Sequence, residues 1–143
     1  MIWEDIRRTF EDYFPPDRFS FEIIHADDPA DTECSAVLKI GDGPREQGMT
    51  LVLEAEENRS YLRAISPVVS IDRCSKEQLV RLMEQNTYWV QIRVGVDRQK
   101  VVFTTLVSLQ EFEADPASLG DAMTNLARRA DQMETLLFGS DRT

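Results

Sequence analysis

The sequence predicts an α+β fold: an antiparallel sheet with helices packed on one face, two layers in all. Three observations carry that expectation. Leu119, Ala122, Met123, Leu126, Ala130, Met133 and Leu137 recur at three-four spacing, the mark of a long amphipathic helix. Val90, Ile92, Val94 and Val96 alternate with Gln91, Arg93, Gly95 and Asp97, which is the period of a half-buried strand. The order of elements reads α-β-β-β-β-α-β-β-α, so the strands fall in neighbouring hairpins that pair antiparallel. Three amphipathic helices remain to cover one sheet face.

The first helix gathers Ile2, Trp3, Ile6, Phe10, Tyr13 and Phe14 on one side, and Pro15-Pro16 ends it by removing backbone donors. Its aromatic stripe has two readings, a face for a partner or a face packed on its own sheet. Phe19, Phe21 and Ile23 alternate in a first strand that reaches about His25. The acidic stretch Asp27 to Glu33 lacks the spacing and glycine of a calcium loop and reads as a solvated loop. A second strand spans Ala36 to Ile40, and Gly41-Asp42-Gly43-Pro44 is turn chemistry. The third strand runs Met49 to Ala55 and the fourth Tyr61 to Ile65; Pro67 is expected to end or edge it, with Val68, Val69 and Ile71 offering an irregular continuation.

Ser75 and Gln78 form a capping box for a middle helix that ends near Thr87. The second strand pair turns at Asp97 to Lys100 and returns over Val101 to Leu106, apolar on both sides. A link through Leu109 and Phe112 leads to Asp115-Pro116, which start the long helix, and Gly139 stops it. One domain over residues 1–139, with a frayed tail over 140–143, accommodates the 143 residues.

Charge narrows the function. Sixteen basic against 26 acidic residues leave a formal net charge of −10, which repels phosphate backbones and anionic lipid. Neither nucleic acid nor a membrane is therefore an expected partner. No signal peptide or membrane-length apolar run is present, so the cytoplasm is the expected compartment. Cys34 and Cys74 have no ligand-like spacing and read as free thiols rather than a disulfide.

A search for chemistry returns no catalytic, metal or cofactor residues. His25 is the one histidine, with no nucleophile motif beside it, and reads as structural or exposed. Glu54 and Glu56 share a strand face where acid-base work is conceivable, but beside a turn they read as a solvated pair. No phosphate-binding loop or dinucleotide fingerprint occurs.

From Leu79 onward the chain resembles a known superfamily. The helix Leu79-Val80-Arg81-Leu82-Met83-Glu84-Gln85-Asn86, the strand pair Val90 to Leu106, the exit Leu106-Val107-Ser108-Leu109 and the closing helix with Leu126, Ala130 and Leu137 carry the likeness. They are similar to the class I type III secretion chaperones and to the related YbjN-like bacterial sensory transduction regulators. The resemblance implies a type III secretion chaperone-like two-layer sandwich, often homodimeric, that binds protein and needs no cofactor. On that model Ile2, Trp3, Ile6 and Phe10, or apolar positions on the open sheet face, contact a client segment. Leu79, Leu82, Met83, Val90, Ile92 and Val94 would build the dimer. A dedicated chaperone of a type III effector, and a small-ligand binder or enzyme on the same fold, are the alternative functions.

Overall fold

A computed structural model describes residues 2–22, 33–39 and 46–138. The elements are α1 (Ile2–Tyr13), β1 (Phe19–Glu22), β2 (Glu33–Lys39), β3 (Glu46–Glu56), β4 (Arg59–Ser70), α2 (Lys76–Tyr88), β5 (Ile92–Asp97), β6 (Lys100–Ser108), α3 (Leu109–Ala114) and α4 (Ala117–Phe138). The strands form one six-stranded sheet in the order β1-β2-β3-β4-β6-β5, and every neighbouring pair is antiparallel. The expected α+β order is present, with one short α-helix and two single-turn 3-10 helices (Pro16–Arg18 and Ile71–Arg73) added. His25 and the acidic stretch beyond β1 lie outside the described residues, as do Gly139 and the tail.

Register decides which side chains face the helices. Leu51 of β3 stands opposite Ala64 of β4, Ala64 opposite Thr105 of β6, and Thr105 opposite Ile92 of β5. The adjacent inward rows bring Leu53, Leu62 and Val107 together, and Phe103 with Val94. Over them lies α4, whose Leu119, Met123, Leu126, Ala130 and Met133 are buried, as the three-four spacing predicts. Each large side chain so buried contributes about 1.5–3 kcal/mol relative to exposure. On the flanks, α1 packs on β1 and α4, α2 on β5, and α3 on β4 and β6.

Local chemistry sets the ends. The capping box is made: Ser75 Oγ accepts from the Gln78 amide at 3.1 Å, and Gln78 Oε1 accepts from the Ser75 amide at 2.9 Å. The same Gln78 side chain donates to the Leu137 carbonyl at 3.1 Å, tying the start of α2 to the end of α4. Ser108 caps α3 by accepting from the Glu111 amide, and Phe112 anchors this helix in the core. The expected link through Leu109 and Phe112 is therefore a helix in its own right.

Pro67 edges its strand rather than ending it. β4 continues to Ser70 through a β-bulge at Val68, between the pairs Pro67–Val102 and Val69–Val101. β3 stops pairing at Thr50–Ile65, so the β3 side of Pro67 is an edge, and the missing N–H costs no ladder bond there. The β5–β6 turn is tighter than a composition of Arg98 and Gln99 suggests. Both residues take left-handed backbone (φ 51° and 68°), at roughly 1 kcal/mol each for side chains other than glycine. Ile71 N–H donates to the Gln99 carbonyl at 2.9 Å and holds the turn against β4's end.

α1 meets α4 at Gly120, where the Tyr13 ring fills the space of a side chain. Tyr13 donates its hydroxyl to Asp121, and that bond, before burial, raises the hydroxyl pKa above the ordinary tyrosine value. A Cβ at Gly120 would sit 2.7 Å from the ring. Gly120→Ala is therefore expected to lower stability by about 1 kcal/mol, because expelling the ring outweighs the gain in helix propensity. In a Tyr13→Ala background the same change should stabilise by about 1 kcal/mol, with urea unfolding reading both signs.

Asn86 closes the outer edge of β5. Its Nδ2 donates to the Val94 carbonyl at 3.0 Å, and its Oδ1 accepts from the Val94 amide at 2.6 Å. The side-chain amide thus pairs with the strand as a peptide unit would. Asn86→Ala should cost about 1–3 kcal/mol and speed hydrogen exchange at the Val94 amide. An unchanged Val94 exchange rate would show that this pair does not hold the edge.

Candidate interaction surface

The sheet has a second face, and among the described residues no helix lies on it. Val37, Thr50, Val52, Glu54, Tyr61, Arg63, Ile65, Pro67, Val102, Thr104 and Leu106 alternate with the core residues and point the other way. Gly48 and Gly95 belong to this face by register, and a Cβ added at either meets nothing within 4 Å. Apolar side chains run down its middle: Val52, Ile65 and Val102, then Pro67 at one side and Leu106 at the other. Leu106 is 45% exposed, whereas Val102 is 6% exposed with only strand neighbours and the β5–β6 turn around it.

Charge is distributed unevenly between the layers. Arg59, Arg63, Arg93, Arg98 and Lys100 lie on the bare face or its turns, against Glu22, Glu54, Glu56, Glu57 and Asp97 among the described side chains. That near balance stands on a chain whose formal net charge is −10, so the helical layer carries much of the acidity. Arg63 pairs with Glu54 at 2.9 Å, and this half-exposed pair contributes little to stability. Glu54 is therefore one half of an ion pair on this face.

Two hollows adjoin the face. One of about 250 Å³ is floored by Val52, Ile65, Pro67 and Val102 beneath the β5–β6 turn. The other, about 690 Å³, is a groove between the end of β6 and the first half of α4, with Arg63, Arg93, Gln91, Glu111, Asp121 and Asn125 on its walls. It opens where β5 stops pairing at Ile92–Thr105 while β4 follows β6 to Ser108, so the last three residues of β6 are paired on one side only.

The chain also bears on chemistry by what surrounds its titratable groups. Among the described residues, no three His, Cys, Asp or Glu side chains gather as a metal site. Burial raises the Cys74 thiol pKa, with Arg73 opposing, which disfavours the thiolate. No helix among the described residues is long and apolar enough to cross a membrane.

Comparison with solved structures finds a likeness. A chain in the crystal structure of the ExsC–ExsE complex is similar to this one. The two are 28% identical, and the match covers 72% of this chain and 75% of that chain with a TM-score of 0.47. No family model and no curated protein sequence matches.

The residues expected to meet a client on α1 are turned inward. Trp3, Ile6 and Phe10 are 4%, 0% and 0% exposed, and Phe10 packs edge-on against Phe14, Phe19 and Phe21. The stripe takes its other reading, a helix packed on its own sheet. The Ile2 side chain lies outside the described set. Of the residues expected to build a dimer, Leu82, Ile92 and Val94 also belong to the core, at 0%, 2% and 5% exposure, and Leu79 packs against it. Met83 and Val90 alone of that group are exposed. The bare sheet face, the remaining location for a client, was visible in the sequence only as alternation. Its residues were divided between strands whose register the alternation does not reveal.

A charge at Ile92 would thus break the protomer rather than free it from a dimer. Ile92→Asp should cost at least about 3 kcal/mol, while Met83→Glu should stay within about 0.5 kcal/mol. Denaturant midpoints of the two variants check this directly.

Proposed function

We propose that the chain is a non-catalytic protein-binding module that receives an extended segment of a partner on the bare face of its sheet. The observation that carries this reading is the bare face itself. Its half-buried apolar row and its cations are grouped on a chain that is otherwise strongly acidic. Contiguous apolar surface rimmed by polar groups marks interaction sites on soluble domains. An extended segment suits a flat, twisted sheet better than a globular surface does, because it follows the strands and lays alternate side chains on them.

The resemblance from Leu79 onward to secretion chaperones implies the same class of activity. The reading extends to a cytoplasmic homodimer with no assigned pathway; its YbjN-like grouping rests on the same residues. If two copies associate, Val80, Met83, Tyr88 and Val90 are the exposed large hydrophobic residues at hand on and beside α2.

A photo-crosslinking amino acid placed in cells at Thr50 or at Thr104, both on the bare face, tests the site. Each position should trap the same short segment of a partner, and Ile65→Lys should abolish both crosslinks while circular dichroism stays native. Equal trapping from Arg128, on the exposed side of α4, would overturn the assignment.

A further inference from the structure

The hollow beneath the β5–β6 turn joins an apolar floor to free cations. Val52, Ile65, Pro67 and Val102 make the floor, and Arg98 and Lys100 stand at the rim with Asp97. Among the described residues, the side chains of Arg98 and Lys100 have no hydrogen-bond or ion-pair partner. Asp97 is opposite Lys100 in register, yet no salt bridge joins them. The turn that presents Arg98 keeps left-handed backbone at two residues where glycine or asparagine would relieve it, and strain of this kind collects at sites that must aim a side chain.

We infer that this hollow takes one apolar side chain of an extended partner segment, and that Arg98 and Lys100 engage a carboxylate two positions away from it in that segment. The spacing follows from strand geometry: residues i and i+2 share a face and lie about 7 Å apart, whereas i+1 points away. Two cations against Asp97 leave room for one carboxylate, not a run of them. The formal charge of −10 repels a strongly acidic segment at longer range, which again favours a single acid beside apolar residues. This assignment rests on the protein-binding reading above and specifies the chemistry of its partner.

The test titrates the isotope-labelled full chain, observed by amide NMR, with an acetylated and amidated heptapeptide, Ser-Thr-Leu-Thr-Asp-Thr-Ser. Its twin with Lys in place of Asp, and butyrate alone, are titrated in parallel. The acidic peptide should shift the amides of Val52, Ile65, Arg98 and Val102, and the lysine twin should bind about tenfold more weakly. Arg98→Asn with Lys100→Gln, which keeps a residue suited to left-handed backbone in the turn, should bring the acidic peptide down to the twin's affinity while the spectrum stays dispersed. Equal binding of both peptides at these residues would overturn the charge assignment and leave the bare-face reading standing. Butyrate shifting the same amides as strongly as the peptide would make this a small-carboxylate site and overturn the inference. So would an absence of shifts at these residues with either peptide, while crosslinks from Thr50 and Thr104 would still decide the wider reading independently.

Discussion

The packing of α4 across β3, β4 and β6 is the contact on which the rest of the molecule depends. Its buried stripe covers the middle of the sheet, and the other helices find their places relative to it. α1 is positioned by the Tyr13 ring over Gly120, and the start of α2 is tied to the Leu137 carbonyl through Gln78. One long helix can satisfy one face only. With its apolar requirement met on the inner side, the sheet has nothing within the described residues to cover the outer one. The bare face thus follows from how the helices are spent, and needs no separate element to create it.

That arrangement explains how rigidity and recognition coexist here. The side chains of the bare face are mounted on strands whose alternate residues are locked in the core, so their spacing is set by backbone pairing rather than by loop conformation. Val102 is nearly inaccessible on a face that no helix among the described residues touches, because a tight turn and neighbouring strands wall it in. A partner segment meeting this surface encounters positions already arranged, and the ordering entropy falls mainly on the partner.

Much of the architecture was legible because its signals are local. The Ser75–Gln78 capping box and the stripe from Leu119 to Leu137 each specify a helix within a few turns of chain, and both helices are where those residues place them. Of the two readings of Pro67 the edge one holds, with the irregular continuation through Val68 and Val69, because the rule concerns a missing hydrogen bond that matters only where a neighbouring strand would have supplied its partner. α3 escaped notice since six residues with two apolar anchors hold too little periodicity to register. The candidate site was harder for a different reason. Periodicity shows that Trp3, Ile6 and Phe10, or Ile92 and Val94, form an apolar face. It is silent on whether the same chain or another covers that face, since this depends on pairings distant in sequence.

The Asn86 amide has a consequence beyond the strength of its two bonds. An outermost strand carries a row of unsatisfied peptide groups that will accept any extended chain of suitable length, including another copy of itself. By occupying the Val94 amide and carbonyl, Asn86 interrupts that row near its centre. The side of the sheet least selective about sequence is thereby guarded against runaway strand-to-strand aggregation. Recognition is left to a surface where side chains, and not bare backbone, decide what adheres.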